Sequence, residues 1–384
     1  MKHLNLVNFR NYKELNSDFN PGIVLLHGEN GQGKSNLLES IYILSVGKSA
    51  RASSDRELIT NNTSPLAEYG RILAQVNNNK ESLKLQIDYL TSNKTQSGIN
   101  SNQSSTKNIR INGVPKKSSN LVGKFVAVMF SAQDLDVIFG PPSIRRRYID
   151  ILISQLDSHY LTTLQKYQKI LSQRNHLLKR LRNKAANSDE LEIWDERLIC
   201  ESRHVMAKRA QTIEQLTELA SPIHMELSGR DEELTLVYKP SASINSQSSE
   251  ESFFENMNTV IKSLRSKEIF QGMTLCGPHR DDIEILIDGV NAGAFGSRGQ
   301  SRTGILSMKL AQASHFKTIR NQEPVILLDD ILSELDIVRR NQILSKVEQF
   351  EQCFVTTADI NSMDTSYVER SKPMRVHAGT VFTS

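Results

Sequence analysis

The chain has 384 residues, 38% of them hydrophobic, with 47 Lys and Arg against 43 Asp and Glu and a formal net charge of +4. That length is too great for one simple core and predicts two lobes, each burying its own apolar interior, while the charge excess is too small to name an anionic partner. Cys200, Cys276 and Cys353 stand far apart with no C-x-x-C pair, which argues against a disulfide framework or a structural zinc site and fits a reducing cytosol. Met1-Lys2-His3-Leu4-Asn5-Leu6 has no apolar core of a signal peptide, and no apolar run is long enough to span a bilayer. The expectation is a cytoplasmic protein with no membrane partner.

From Leu4 to Leu26 apolar and polar residues alternate and then give way to Ile23-Val24-Leu25-Leu26, the continuous apolar block of a buried strand. A glycine-rich turn follows, then Leu37, Ile41 and Leu44 at helical spacing, with Gly47 as a stop. Strands are predicted from about Arg71 to Tyr89, and Asn112-Gly113 marks a tight hairpin. The Ser/Asn/Gln/Thr tract from Thr91 to Lys107 is expected to be a flexible hairpin tip without chemistry. From Ile144 to about Ala220 the period is helical, with a weak break at Asn187-Ser188-Asp189. A polar gap at Ser241 to Glu251 precedes a helical piece from Phe253 to Leu264. Beyond it come a strand at Ile283 to Ile287, a helix from about Arg302 with Leu306, Leu310 and Ala313 on one face, and a buried strand at Val325 to Leu328. The first and last thirds therefore make one α/β lobe, interrupted by an all-helical insert.

Three motifs carry the chemistry. Gly28-Glu29-Asn30-Gly31-Gln32-Gly33-Lys34-Ser35 fits G-x-x-x-x-G-K-[ST]: backbone N–H groups cradle phosphates, Lys34 reaches the β/γ-phosphates and Ser35 ligates Mg²⁺. Asp329 and Asp330 end an apolar strand, the first placed to hold Mg²⁺ and the second to polarise attacking water. Ser297-Arg298-Gly299-Gln300 resembles the ABC signature S-x-G-Q, whose serine and helix N-terminus bind the γ-phosphate of ATP held by a second subunit. Ser333-Glu334-Leu335-Asp336 follows as an ABC D-loop would.

Other features weigh less. Between Ser158 and Ser188 lie Lys166, Lys169, Arg174, Lys179, Arg180, Arg182 and Lys184 with no acidic residue, a pattern able to track DNA phosphates without reading sequence, or simply a solvated helix face. Arg145-Arg146-Arg147 either joins that surface or pairs with acids. His279 with Asp281 and Asp282 is a poor metal set and reads as a structural turn.

Taken together, the chain strongly resembles the RecF family. The resemblance rests on Leu6-Val7-Asn8-Phe9-Arg10-Asn11-Tyr12, the loop from Gly28 with Asn36-Leu37-Leu38-Glu39, Lys48-Ser49-Ala50-Arg51, Gly140-Pro141-Pro142 before Arg145, and Gly277-Pro278-His279-Arg280-Asp281-Asp282. It implies an ABC/SMC-head-like P-loop ATPase lobe at 1–135 and 270–384 with an inserted, mainly α-helical second lobe at 136–269. It further implies an ATP-dependent homodimer, slow DNA-dependent ATP hydrolysis, binding to duplex or gapped junction DNA, and work with RecO and RecR in loading recombinase, replication restart and SOS induction. By the same resemblance Arg10 contacts nucleotide, and Gln133, in Ala132-Gln133-Asp134 where the family usually has Pro-Glu-Asp, serves as a Q-loop glutamine. The chain departs further from related patterns at Ser301, where a second Gln is common, and at Asp330, where ABC proteins usually have Glu. Two competitors are an ATP-gated DNA-binding adaptor with negligible hydrolysis and a transporter-type ABC subunit; Thr356-Thr357, without the transporters' switch histidine, argues against the second.

Overall fold

The computed structural model describes residues 1–60, 69–78, 81–91, 105–185, 187–229, 231–242 and 249–383. It divides into two compact units, residues 1–133 with 312–384, and residues 134–311.

In the first unit the apolar run Ile23 to Leu26 forms the strand Gly22–His27, buried because it pairs in parallel on both sides, with Gln352–Thr357 and Lys372–His377. Gln352–Thr357 pairs in turn with Val325–Asp329, and that strand with Ala127–Ser131, all parallel; Thr380–Thr383 closes one edge antiparallel. A second, antiparallel sheet runs Tyr12–Asp18, His3–Phe9, Tyr69–Asn78, Glu81–Thr91, Ser105–Ile111 and Val114–Lys116. The helix Lys34–Val46 lies between the sheets, and its Leu37, Leu38, Ile41 and Leu44 share one core with Leu4, Leu6, Val24, Ile72, Ile87 and Leu327. Being covered on both sides, it lacks the polar face of a surface helix, and even Glu39, Ser40 and Ser45 are buried. Asn112 and Gly113, with φ of 52° and 80°, make the expected two-residue hairpin turn. The tract expected as a hairpin tip is bounded by the antiparallel pair Thr91 and Ser105; its residues 92–104 lie outside the described residues.

The second unit is built on the helices Pro142–Leu156, Ser158–Arg182, Glu190–Ser228 and Glu250–Gln271. Asp157 sets the start of the second of these by accepting from the His159 and Tyr160 N–H groups. Of the expected polar gap at 241–251, residues 243–248 lie outside the described residues. A three-stranded sheet, Val290–Asn291, Asp282–Ile287 and Leu234–Lys239, completes the unit. This corrects the expected boundary at 270: Asp282–Ile287 pairs along its whole length with Leu234–Lys239, and Arg145 grips Asp282 through both carboxylate oxygens at 2.7 and 2.9 Å, so residues 270–311 belong to the helical unit. Arg146 likewise donates to the Asp281 carbonyl at 2.6 Å, so Arg145 and Arg146 are bound to an acid and backbone of their own unit.

Arg174 requires a second correction. Expected as a DNA contact, it is fully buried and ties three segments together, its Nε on Asp195 at 2.7 Å, Nη2 on Glu268 at 2.7 Å and Nη1 on Thr274 Oγ1 at 2.8 Å. Helical phase turns it inward, while Lys166, Lys169, Lys179, Arg180, Arg182 and Lys184 remain exposed. Removing Arg174 leaves Glu268 buried without a counter-charge and leaves Asp195 only its second partner, Arg265. Arg174→Met is therefore expected to lower stability in urea denaturation by about 3–5 kcal/mol, and Lys166→Ala by less than about 0.5 kcal/mol; equal effects would mean that the buried cation is not structural.

Candidate nucleotide site

Parallel register brings the motif residues to one edge. Thr357 pairs with His27, Leu328 with Val355 and Asp329 with Ser131, so the loop from Gly28, the acids Asp329 and Asp330, Thr356-Thr357 and the turn with Gln133 all leave the sheet at its carboxyl end. Ligands bind at this edge in sheets of the kind. Gly28 has φ of 147° and faces the Val376 carbonyl; Gly33 has φ of 120° and would set a side chain 2.7 Å from Asn11 Nδ2. Neither position admits a side chain, which is why glycine stands at both. The loop is braced from the first hairpin and the last. Asn11 Nδ2 donates to the Gln32 carbonyl at 2.9 Å and Tyr12 Oη to that of Gly33 at 3.0 Å, while the N–H groups of Ala378 and Gly379 reach Gln32 Oε1 and its carbonyl at 2.7 and 3.0 Å. Among the other loop residues, Glu29, Asn30 and Gly31 are exposed at its crest.

Lys34 is buried with its ammonium on the Gly28 and Glu29 carbonyls at 2.6 and 2.9 Å. Burial lowers its pKa, and the nearby charges of Asp330 and Asp329 oppose that shift. Asp329 is shifted upward by burial, against a hydrogen bond from Ser35 and the charge of Arg51. A desolvated carboxylate joined to a hydroxyl is an oxygen pair suited to Mg²⁺, whose charge would offset the cost of burying the acid. Asp330 is exposed, at φ 53°; Thr356 Oγ1 holds its N–H at 2.9 Å and so fixes its backbone, while Ser333 Oγ donates to its Oδ1 at 3.3 Å. Thr356 thus positions the second acid, a role that sequence reasoning missed. Gln133 is exposed in the turn Ala132–Leu135, two residues past Ser131, the partner of Asp329.

Arg10 is engaged elsewhere. Its Nε and Nη2 each lie 2.9 Å from Glu39, its Nη1 lies 3.0 Å from the Glu57 carbonyl, and Ser49 Oγ adds 2.6 Å to the same buried Glu39. The expected nucleotide contact therefore competes with an ion pair that anchors the helix behind the phosphate loop.

The signature lies on the second unit. Its helix starts at Arg298 rather than the expected Arg302 and runs to Arg320. Ser297 and Gln300 form a reciprocal capping box, Gln300 N–H to Ser297 Oγ at 3.1 Å and Ser297 N–H to Gln300 Oε1 at 3.0 Å, and that box supplies the extra turn. Ser297 and Gly299 are exposed, and Gln300 Nε2 reaches Glu232 at 3.2 Å. Asp336 caps the helix Ile337–Val347 that follows the D-loop-like segment.

His279 has the structural place expected. Its Nε2 lies 3.1 Å from the Thr274 carbonyl and its Nδ1 2.5 Å from Tyr167 Oη; a carbonyl only accepts, so Nε2 carries the proton and Nδ1 accepts from the tyrosine. Burial lowers its pKa to about 4. Asp281 is buried, accepting from Tyr238 and from the Ser241 N–H at 2.7 Å. Among the described residues no group of three His, Cys, Asp or Glu is placed to hold a metal, and no helix is long and apolar enough to cross a membrane.

A parallel sheet with its phosphate loop and acidic strand flanking a third strand, an antiparallel sheet beside it and a signature-bearing helix define an ATPase head of the ABC and SMC class. The RecF/RecN/SMC N terminal domain family matches residues 1–379. The DNA replication and repair protein RecF of Bacillus cytotoxicus is 36% identical over 382 residues, 99% of this chain and 98% of the relative, and that of Bacillus mycoides is 36% identical over 380 residues, 98% and 97%. A solved structure of the recombination mediator protein RecF with ATP, in the RecFOR pathway, is 33% identical and superposes with a TM-score of 0.88 over 100% of this chain and 97% of that one. An Smc head bound to the C-winged helix domain of ScpA, 16% identical over 100% and 97% with a TM-score of 0.55, shares the fold alone. The chain belongs to the RecF family.

The folded protein keeps His279 neutral down to about pH 4, whereas an unfolded histidine protonates near 6.5, so the unfolded chain binds the extra proton between those values. This contribution to stability is complete above pH 6.5 and is lost as pH falls toward 4. Thermal melts across that window should show a shallower pH slope for His279→Gln than for the wild type, and identical slopes would remove His279 from the acid response.

Proposed function

We propose that this protein is an ATP-dependent DNA-binding recombination mediator that dimerises on ATP. It hydrolyses ATP slowly, in a DNA-dependent manner and with Mg²⁺, and acts in the cytoplasm at gapped or junction DNA with RecO and RecR to load recombinase, with replication restart and SOS induction downstream. The observation that carries the reading is that one chain holds both halves of an ABC site. A phosphate loop with Lys34, Ser35, Asp329 and Asp330 lies on one unit, and a solvent-exposed, Ser297-capped helix start lies on the other. Two copies would each close the other's nucleotide. Ile337 and Val338, 71% and 67% exposed directly after the D-loop-like segment, give such a dimer apolar surface to bury. The name and ATP complex of the RecF structure support the pathway and the nucleotide. DNA binding is assigned to the exposed Lys166, Lys169, Lys179, Arg180, Arg182 and Lys184, which would neutralise phosphates by counterion release.

Light scattering with and without ATP and Mg²⁺ tests the dimer. Wild type is expected to shift from monomer to dimer, Lys34→Met to fail for want of phosphate contacts and Ser297→Arg to fail from a blocked trans contact; a wild type that stays monomeric with ATP bound would overturn the sandwich. Asp330→Asn is expected to retain the ATP-bound dimer and lose turnover, and an undiminished ATPase rate would remove Asp330 from catalysis.

A further inference from the structure

The segments 158–185 and 256–280 contain one acidic residue between them, Glu268, against eleven Lys and Arg, of which Arg174 is buried and Arg265 pairs with Asp195; the other nine are Lys166, Lys169, Lys179, Arg180, Arg182 and Lys184 in the first and Lys262, Lys267 and Arg280 in the second. Glu268 is buried, its carboxylate taken by Arg174 Nη2 at 2.7 Å and the Leu275 N–H at 2.8 Å, so it puts no negative charge on the surface. Exposed acids border this surface: Glu190 and Glu192 at the start of the helix Glu190–Ser228, and Glu250, Glu251 and Glu255 at the opposite end of the helix that carries Phe270. Within it stand two apolar side chains that the core does not absorb, Phe270 at 80% exposure and Met273 at 41%. Next to Phe270, Ile269 turns inward onto Leu177, Leu178 and Leu191, which leaves the phenyl ring outside.

The turn that presents these residues is fixed. Gly272 N–H bonds the Glu268 carbonyl at 2.7 Å and Met273 N–H bonds the same carbonyl at 3.2 Å, closing the helix end. The basic end of the helix Ser158–Arg182 packs against it: a side chain at Gly272 would lie 3.0 Å from Lys179 Cγ and 3.4 Å from Arg182 Nη1. Arg280 holds the other flank through Met273 Sδ and the Thr274 carbonyl, each at 3.1 Å. An exposed aromatic ring on a rigid turn flanked by Lys179, Arg182 and Arg280 is an arrangement that stacks a nucleobase while the neighbouring charges hold its backbone. A solvated helix face would need the charges without the ring.

We propose that Phe270, with Met273 beside it, is a stacking platform for an unpaired DNA base, so that the protein distinguishes DNA carrying a single-stranded segment from plain duplex at this turn. The proposal rests on the DNA-binding reading above and adds to it the residue that senses the unpaired strand.

Fluorescence anisotropy with a labelled duplex and the same duplex bearing a single-stranded tail, in ATP and Mg²⁺, tests it on wild type, Phe270→Ala, Phe270→Trp and the double variant Lys179→Glu, Arg182→Glu. The expected result is that Phe270→Ala weakens binding of the tailed DNA by about tenfold, leaves the duplex unchanged, and is compensated by Phe270→Trp. Because Phe270 is outside the core, its loss does not threaten folding. Charge reversal is expected to weaken both DNAs and to flatten their salt dependence. A Phe270→Ala protein that binds tailed DNA like wild type, or loses both DNAs equally, overturns the platform. A charge-reversed protein that binds both DNAs like wild type overturns instead the assignment of DNA binding to the basic helix, and is read apart from the tailed-to-duplex ratio that judges Phe270.

Discussion

Hydrogen bonding between parallel strands sets the carboxyl ends of all paired strands at one edge of a sheet, and the nucleotide site of this protein depends on that alignment. The loop at Gly28, the turn at Gln133, the acids at 329–330 and the threonines at 356–357 are far apart in the chain and meet because Gly22–His27, Gln352–Thr357, Val325–Asp329 and Ala127–Ser131 run the same way in register. The alignment places the helix after the phosphate loop inside the unit, between two sheets, with Glu39 buried on it. A lone carboxylate there would be costly, and the Arg10 guanidinium and the Ser49 hydroxyl remove the cost while fixing the helix. The first hairpin of the chain is thus part of the machinery of the phosphate loop, through Asn11 and Tyr12 as much as through Arg10.

What could be read in the sequence is what depends on residue type at fixed local spacing. The phosphate loop needs glycines, Lys34 and Ser35 at set offsets, and the hairpin at Asn112-Gly113 needs two residues that accept positive φ. Both are visible without a structure. Arg174 shows the opposite case. Its charge was plain, but its partners Asp195 and Glu268 lie 21 and 94 residues away, and only the packing of three helices decides that this cation faces inward while its neighbours face water. The strand Asp282–Ile287 is legible as a strand but not as a member of the second unit, for the same reason: periodicity reports that a segment pairs, not with which segment. The helix start at Arg298 was within reach, since Ser297 and Gln300 have the spacing of a capping box that the signature reading passed over.

The second unit is tied together by several sets of buried polar groups. Arg174 with Asp195 and Glu268, Arg209 with Asp150, and Asp281 with Tyr238 and Ser241 each satisfy charges in the interior. Such sets add little net stability over apolar packing but penalise any arrangement that separates their members. A helical unit built this way keeps its helix ends in fixed places, as the presentation of a small surface group demands.

The signature serine illustrates the point. Ser297 Oγ accepts from the Gln300 N–H, which at first sight occupies the group meant for a phosphate. A hydroxyl has one donor and two acceptor positions, however, and the capping bond takes only an acceptor. The O–H remains free to donate to an anion, and the bond that caps the helix fixes the oxygen from which it does so. Gln300 is itself held, through its side-chain oxygen on the Ser297 N–H and its side-chain nitrogen on the buried Glu232. The serine is therefore oriented before any nucleotide arrives, with little conformational entropy left to lose on binding. Capping and phosphate recognition are two uses of one geometry: the same short motif starts the helix and aims its positive end outward.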